Sequence, residues 1–115
     1  KSLRRYTLRL DGFVSAHAGA QEGTLLTKPI VFSGRRLSLN FATSAAGSVR
    51  VAIEHPDGTP VTGFSLADCP TYFGDTLDRT VVWNGQQQPG RMAGTPVRLR
   101  FVLQDADLYS FRFSD

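Results

Sequence analysis

A chain of 115 residues, 41% of them hydrophobic, carries enough apolar material for one core and not for two. Thirteen basic against ten acidic residues leave a net charge of +3, and the only basic clusters are the pairs Arg4-Arg5 and Arg35-Arg36, which argues against a dedicated nucleic-acid surface. The single cysteine, Cys69, excludes an internal disulfide and a thiolate metal cluster, and no apolar run approaches the roughly 20 residues of a membrane span.

Lys1-Ser2-Leu3 opens without a methionine, a charged signal start or a cleavage site, so the chain is expected to be one domain excised from a larger multidomain protein. Tyr6, Leu8 and Leu10 alternate with Arg5, Thr7 and Arg9, the period of a half-buried strand. Gly12 interrupts a run that continues through Phe13–Ala18, which suggests a bulge. Gly19 to Gly23 reads as a turn, and Pro29 marks the following stretch, Thr24 to Phe32, as an edge or interrupted strand. After the Ser33-Gly34-Arg35 turn, Leu37, Leu39 and Phe41 alternate with polar residues. Val49, Val51 and Ile53 do so again after Ser44-Ala45-Ala46-Gly47, so these two runs are expected to form an antiparallel pair.

Pro56-Asp57-Gly58 predicts a tight reversal into a strand over Val61 to Leu66. Ala67 to Leu77 is irregular, and loops of this kind often carry function. Strand character returns over Arg79 to Asn84, with Val81 and Trp83 on one side, and a glutamine-rich connection from Gly85 to Gly94 follows. The clearest pattern is last: Val97, Leu99, Phe101 and Leu103 oppose Arg98, Arg100 and Gln104. After the Asp105-Ala106 corner, Tyr109, Phe111 and Phe113 oppose Leu108, Ser110 and Arg112. Helical periodicity is absent. The turn spacing predicts an all-β, two-layer antiparallel β-sandwich, jelly-roll-like, with about eight or nine strands.

Several segments together, LRLDGFVSAHAG, TKPIVFSG, LSLNFAT, GSVRVAIEHPDGTPVTGFSLADC, GDTLDRTVVW and GTPVRLRFVLQDADLYSFRF, run over nearly the whole chain. This ordered set resembles a β-sandwich accessory module at the C-terminal side of glycoside-hydrolase-like or sialidase-like β-propeller domains in large bacterial proteins. The resemblance implies a secreted carbohydrate-active parent, and it supplies no ligand residues.

Flat aromatic rings recognise the apolar faces of pyranoses, which makes Trp83, Tyr72 and Phe73 the stacking candidates. Trp83 shares the parity of Val81, so burial outweighs ligand contact for it. Tyr72 and Phe73 are adjacent, so only one of them readily faces a ligand while the other anchors the loop. Phe13 shares parity with Ser15 and His17, as if a neighbouring domain or loop covered it.

Arg50, Arg98, Arg100 and Arg112 occupy polar alternation sites that could share one sheet with Glu54, Gln104 and Asn40. Such a face would grip the carboxylates or sulfates of an acidic polysaccharide if the arginines cluster, and is an ordinary solvated face if they do not. The aspartates, including Asp75, Asp78, Asp105 and Asp107, match no calcium loop, and His17, His55 and Cys69 lack zinc spacing, so no metal or other cofactor is expected. Neither a nucleophile elbow nor a recognisable acid pair points to catalysis.

The expected function is a noncatalytic carbohydrate-binding module, with Tyr72 or Trp83 stacking and Asp75, Arg79, Arg98 and Arg100 orienting hydroxyl or acidic groups of an oligosaccharide. The alternative is a structural module that packs against the catalytic domain of the parent chain through Phe13 and the final strands.

Overall fold

The computed structural model describes the backbone of residues 2–3, 7–10, 13–18, 22–83 and 89–114, and the side chains of 22–75, 79–83 and 89–114. The interruption expected at Gly12, most of the turn from Gly19, the glutamine-rich residues 85–88 and the side chains of Phe13 and Asp78 lie outside these. The protein is mostly antiparallel β. Among the described residues its strands are β1 (Ser2–Leu3), β2 (Thr7–Leu10), β3 (Phe13–Ala18), β4 (Gly23–Thr27), β5 (Arg36–Glu54), β6 (Asp75–Val81) and β7 (Arg98–Ser114), which form one seven-stranded sheet. Two short pairings, β1 with β3 and β2 with β4, are parallel. No helix among the described residues is long and apolar enough to cross a membrane.

The sheet is organised by two long strands, β5 of 19 residues and β7 of 17, paired antiparallel from Arg36↔Ser114 to Glu54↔Arg98. This corrects one expectation. The runs 37–41 and 49–53 do not pair with each other but belong to β5, as the two halves of the last segment belong to β7. Each is a single strand that bends, and its partner at every point is the other long strand. The bends coincide: the register jumps between Thr43↔Ala106 and Ser48↔Gln104, so four β5 residues stand opposite one β7 residue. Asp105, that one residue, has φ +49, and its carboxylate accepts a 2.7 Å hydrogen bond from the Ser44 hydroxyl. Gly47 passes so close to β7 that a Cβ there would run into the carbonyl oxygens of Asp105 and Gln104. Turn-forming residues here produce a large bulge and a change of direction, because β7 offers a longer ladder than a local hairpin does.

The bend creates two arms. In the first, residues 36–43 of β5 pair with 106–114 of β7, flanked by β6 and β3; in the second, 48–54 pair with 98–104, flanked by β4. A straight strand would hold residues 101 and 111 about 33 Å apart. The rings of Phe101 and Phe111 instead have centroids 5.2 Å apart, so β7 doubles back and the arms share one core. That core joins Leu37, Leu39 and Phe41 to Val49, Val51, Ile53, Leu99, Phe101 and Leu103.

Segment 61–66 is a further correction. It forms no strand: Gly63 has φ +88, and the chain runs into a 3-10 turn at Leu66–Asp68. It still lies along the edge of β5, where Ile53 N–H donates to Phe64 O and Val61 N–H to Ile53 O. Strand β4 stops at Thr27, before Pro29, and the buried Thr27 hydroxyl takes over as acceptor for the Leu99 N–H at 2.9 Å.

Candidate functional site

The six residues expected to form a site fall in four places. Trp83 is fully buried, 0% exposed. Its indole N–H donates to Val51 O at 2.9 Å, and its ring meets Phe64 edge-on, so it bridges β5 and the core and offers no face to a sugar. Tyr72, 8% exposed, closes the edge of the same core. Its hydroxyl accepts from Val82 N–H at 3.0 Å, and burial pushes its pKa up. Arg79 lies over the Tyr72 ring, 5.4 Å from the centroid. By register Arg79 stands opposite inward-facing Leu39, so it caps the seam at which β6 and the loop meet. Asp75 opens β6 beside Ala42 on the first arm, well separated along β5 from Arg98 and Arg100. Stacking by Trp83 or Tyr72 is thus closed off in this fold, while Arg98 and Arg100 do come together.

Alternation explains where they meet. In the second arm Val49, Val51 and Ile53 face the core, so Arg50, Ala52 and Glu54 face outward beside Val102, Arg100 and Arg98. Glu54 is nearly buried on this outer face and is shared by two guanidinium groups. Arg100 donates through Nε at 2.5 Å and Nη2 at 3.5 Å, and Arg98 Nε lies 3.6 Å away. Arg98 Nε is buried and forms no hydrogen bond among the described residues. The turn at Gly58 covers it, since a Cβ on Gly58 would lie 3.0 Å from Arg98 Nη2. Arg50 pairs with Glu22 at 3.4 Å near the other end of the arm. Asn40 and Arg112, also considered for this lattice, belong to the first arm.

Beside Glu54 and Arg100 runs an open groove of about 430 Å³. Ala52 forms its floor and Pro60, Leu66 and Ala67 its apolar wall. The wall is held in place by the capping box of the 3-10 turn, in which Ser65 N–H and its hydroxyl both donate to Asp68 Oδ2, at 3.2 and 2.9 Å. The segment that supplies this wall continues along β5 to Tyr72, which exchanges hydrogen bonds of 2.8 and 3.0 Å with Val49, and to Gly74, which is bonded to Thr43 through both backbone and hydroxyl.

Between those two anchors stands Phe73, 64% exposed. Tyr72 pairs with Val49 and points inward, so alternation turns Phe73 toward the outer side of the same arm. Phe73, not Tyr72, is the accessible ring of the pair. The adjacency of two aromatics signals that one is exposed; which one depends on the phase of the bridge to Val49, which only the fold sets. Leu66, Ala67 and Pro60 carry no chemical signature and become site residues only through their position.

Cys69 is buried against Val51, and burial pushes its thiol up to about 11, which makes it inert at neutral pH. Among the described residues no three His, Cys, Asp or Glu side chains converge as a metal site would require. Comparison of the chain with protein-family models, curated proteins and solved structures finds no match.

Proposed function

We propose that this chain is a noncatalytic carbohydrate-binding accessory module of a secreted bacterial polysaccharide-processing protein, folded as a two-layer, jelly-roll-like sandwich, and that glycan is bound on the outer face of the second arm. The sandwich reading is supported by the ring contact between Phe101 and Phe111 and by the stacking of Phe32 on Phe113 at 3.9 Å, which draw the arms and their flanking segments over a shared interior. The glycan reading is carried by one observation: Arg98, Arg100 and Glu54 cluster on a single outward sheet face beside an open groove. Charged forks fixed by mutual pairing are preorganised donors for hydroxyl and acidic groups, and Phe73 provides a ring on the same side for stacking.

Affinity electrophoresis of the 115-residue chain through gels containing neutral and acidic polysaccharides tests this. Retardation is expected for at least one polymer and is lost in a folded Phe73→Ala variant. Unretarded migration through the whole panel rejects the reading. A second reading, a structural module seated on the catalytic domain of the parent chain, draws on Val31 and Tyr109, which are exposed large apolar side chains. Tyr109 is the extra residue of a β7 bulge between Asn40↔Ser110 and Phe41↔Leu108, and the bulge pushes it out. Under that reading Tyr109→Glu abolishes association with the rest of the parent protein and leaves migration in every gel unchanged.

A further inference from the structure

We propose that the groove between Arg100 and Leu66 selects a carboxylate-bearing sugar, a uronic acid unit, with Arg100 holding the carboxylate and Pro60 and Leu66 lying against the apolar face of the ring. The inference rests on the glycan-binding reading above and names the ligand class of that face.

Arg100 keeps one edge of its guanidinium unused by Glu54. A guanidinium has five N–H donors arranged along two edges that can each meet a carboxylate. Glu54 occupies the edge formed by Nε and Nη2. The end-on edge, Nη1 with the second proton of Nη2, remains on a side chain that is 29% exposed and lines the groove. Glu54 does not spoil this edge for an anion, because its own charge is met by both Arg98 and Arg100. The other carboxylates near the groove are engaged too. Asp68 Oδ2 receives two hydrogen bonds from Ser65, and Asp57, on the turn beside Arg98, accepts from the Thr59 N–H and hydroxyl.

The groove's remaining surface decides what carries the carboxylate. Ala52, Ala67, Pro60 and Leu66 are apolar, and besides Arg100 the only polar side chains in the lining are the engaged Glu54 and Ser65, so the occupant needs an apolar face next to its acid group. A pyranose with its carboxyl on the ring has that combination, and a volume of about 430 Å³ lies at the lower end of ligand sites, which run roughly 300–1,000 Å³. The groove is open to solvent, so neighbouring sugars have room to extend beyond it.

The test uses a galacturonate oligosaccharide, the same oligosaccharide with its carboxyls methyl-esterified, and a neutral xylan oligosaccharide, titrated calorimetrically into the 115-residue chain. The acid form is expected to bind about tenfold or more tighter than the ester, a difference of one charge-assisted fork. Arg100→Gln should remove that preference, while Leu66→Ala weakens acid and ester alike. Comparing acid with ester needs no variant, so poor folding of Arg100→Gln cannot mask the result. Equal affinity for acid and ester overturns the inference, as does a preference that persists in folded Arg100→Gln. Binding of the xylan oligosaccharide without preference for the acid, or binding of none of the three while a polysaccharide gel still retards the chain, rejects only this inference, whereas no binding of the three together with unretarded migration in every gel rejects the glycan-binding reading as well. Equal binding of a polyglutamate peptide that depends on Arg100 would replace sugar selectivity with general recognition of carboxylates.

Discussion

The rim of the core and the outer face of the second arm use arginine for opposite ends. At the rim, Arg79 and Arg91 lie over the rings of Tyr72 and Phe64, at 5.4 and 5.0 Å, and cover the edge of the interior. On the outer face, Arg100 meets Glu54 edge-on and keeps further donors beside a groove, while Arg98 Nε lies 3.6 Å from the same carboxylate. A guanidinium over a ring is engaged by the quadrupole beneath it, worth about 0.5–1 kcal/mol at an exposed site, and acts as a seal. One held edge-on by a carboxylate is fixed in orientation but not exhausted as a donor. The arginine count alone therefore says nothing about function here; the partner beneath each side chain does.

Substitutions separate the two regions by how far their effects reach. Trp83→Ala should be the most damaging, at about 3–5 kcal/mol in chemical denaturation, because it empties the core and leaves the Val51 carbonyl without its donor. Its folded fraction should keep full affinity for any glycan the protein binds, and a loss of intrinsic affinity would place Trp83 in the site after all. Glu54→Gln follows, at about 3 kcal/mol, since it leaves the mostly buried Arg98 and the partly buried Arg100 without their shared countercharge. An unchanged urea midpoint would show that the lattice is solvated and adds nothing. Gly47→Ala should cost about 1–3 kcal/mol, because the added methyl runs into the β7 backbone at the bend.

Alkaline titration probes the rim with a smaller effect. Burial pushes the Cys69 thiol from 9.0 to about 11 and raises Tyr72 as well, so the unfolded chain releases these protons first as pH rises. The thiol's contribution to stability is complete below about pH 9 and is lost as pH climbs through 11. Cys69→Ala should flatten the slope of unfolding free energy over that interval, and an identical slope would show that the thiol is not buried in solution. Phe73→Ala should barely move stability, within about 0.5 kcal/mol, because the ring is exposed, and yet abolish glycan binding.

Much of this was readable from residue order. Alternation in 97–103 and in 49–53 separates the inward from the outward residues and puts Arg50, Arg98 and Arg100 on polar positions, but it groups Arg112 with them, which the fold places on the first arm; the parity of Trp83 points to the interior. Strand periodicity is a local property of the backbone, since successive side chains point to opposite faces whatever the partner. Chain direction was less legible. Ser44–Gly47 and Asp105-Ala106 have turn composition, and nothing local distinguishes a hairpin from a bend shared by two long strands.

What residue order determined by itself is the β character of the chain, the in-or-out sense of its regular strands and the lack of a disulfide framework, because each follows from composition or from a two-residue period. Tertiary structure alone decided that the bulge at 44–47 and the left-handed Asp105 fall opposite each other, that Glu54 lies between two arginines, and that Phe73 rather than Tyr72 is exposed. These depend on which distant segments pair and in what register, and register is a property of two strands together that neither encodes alone.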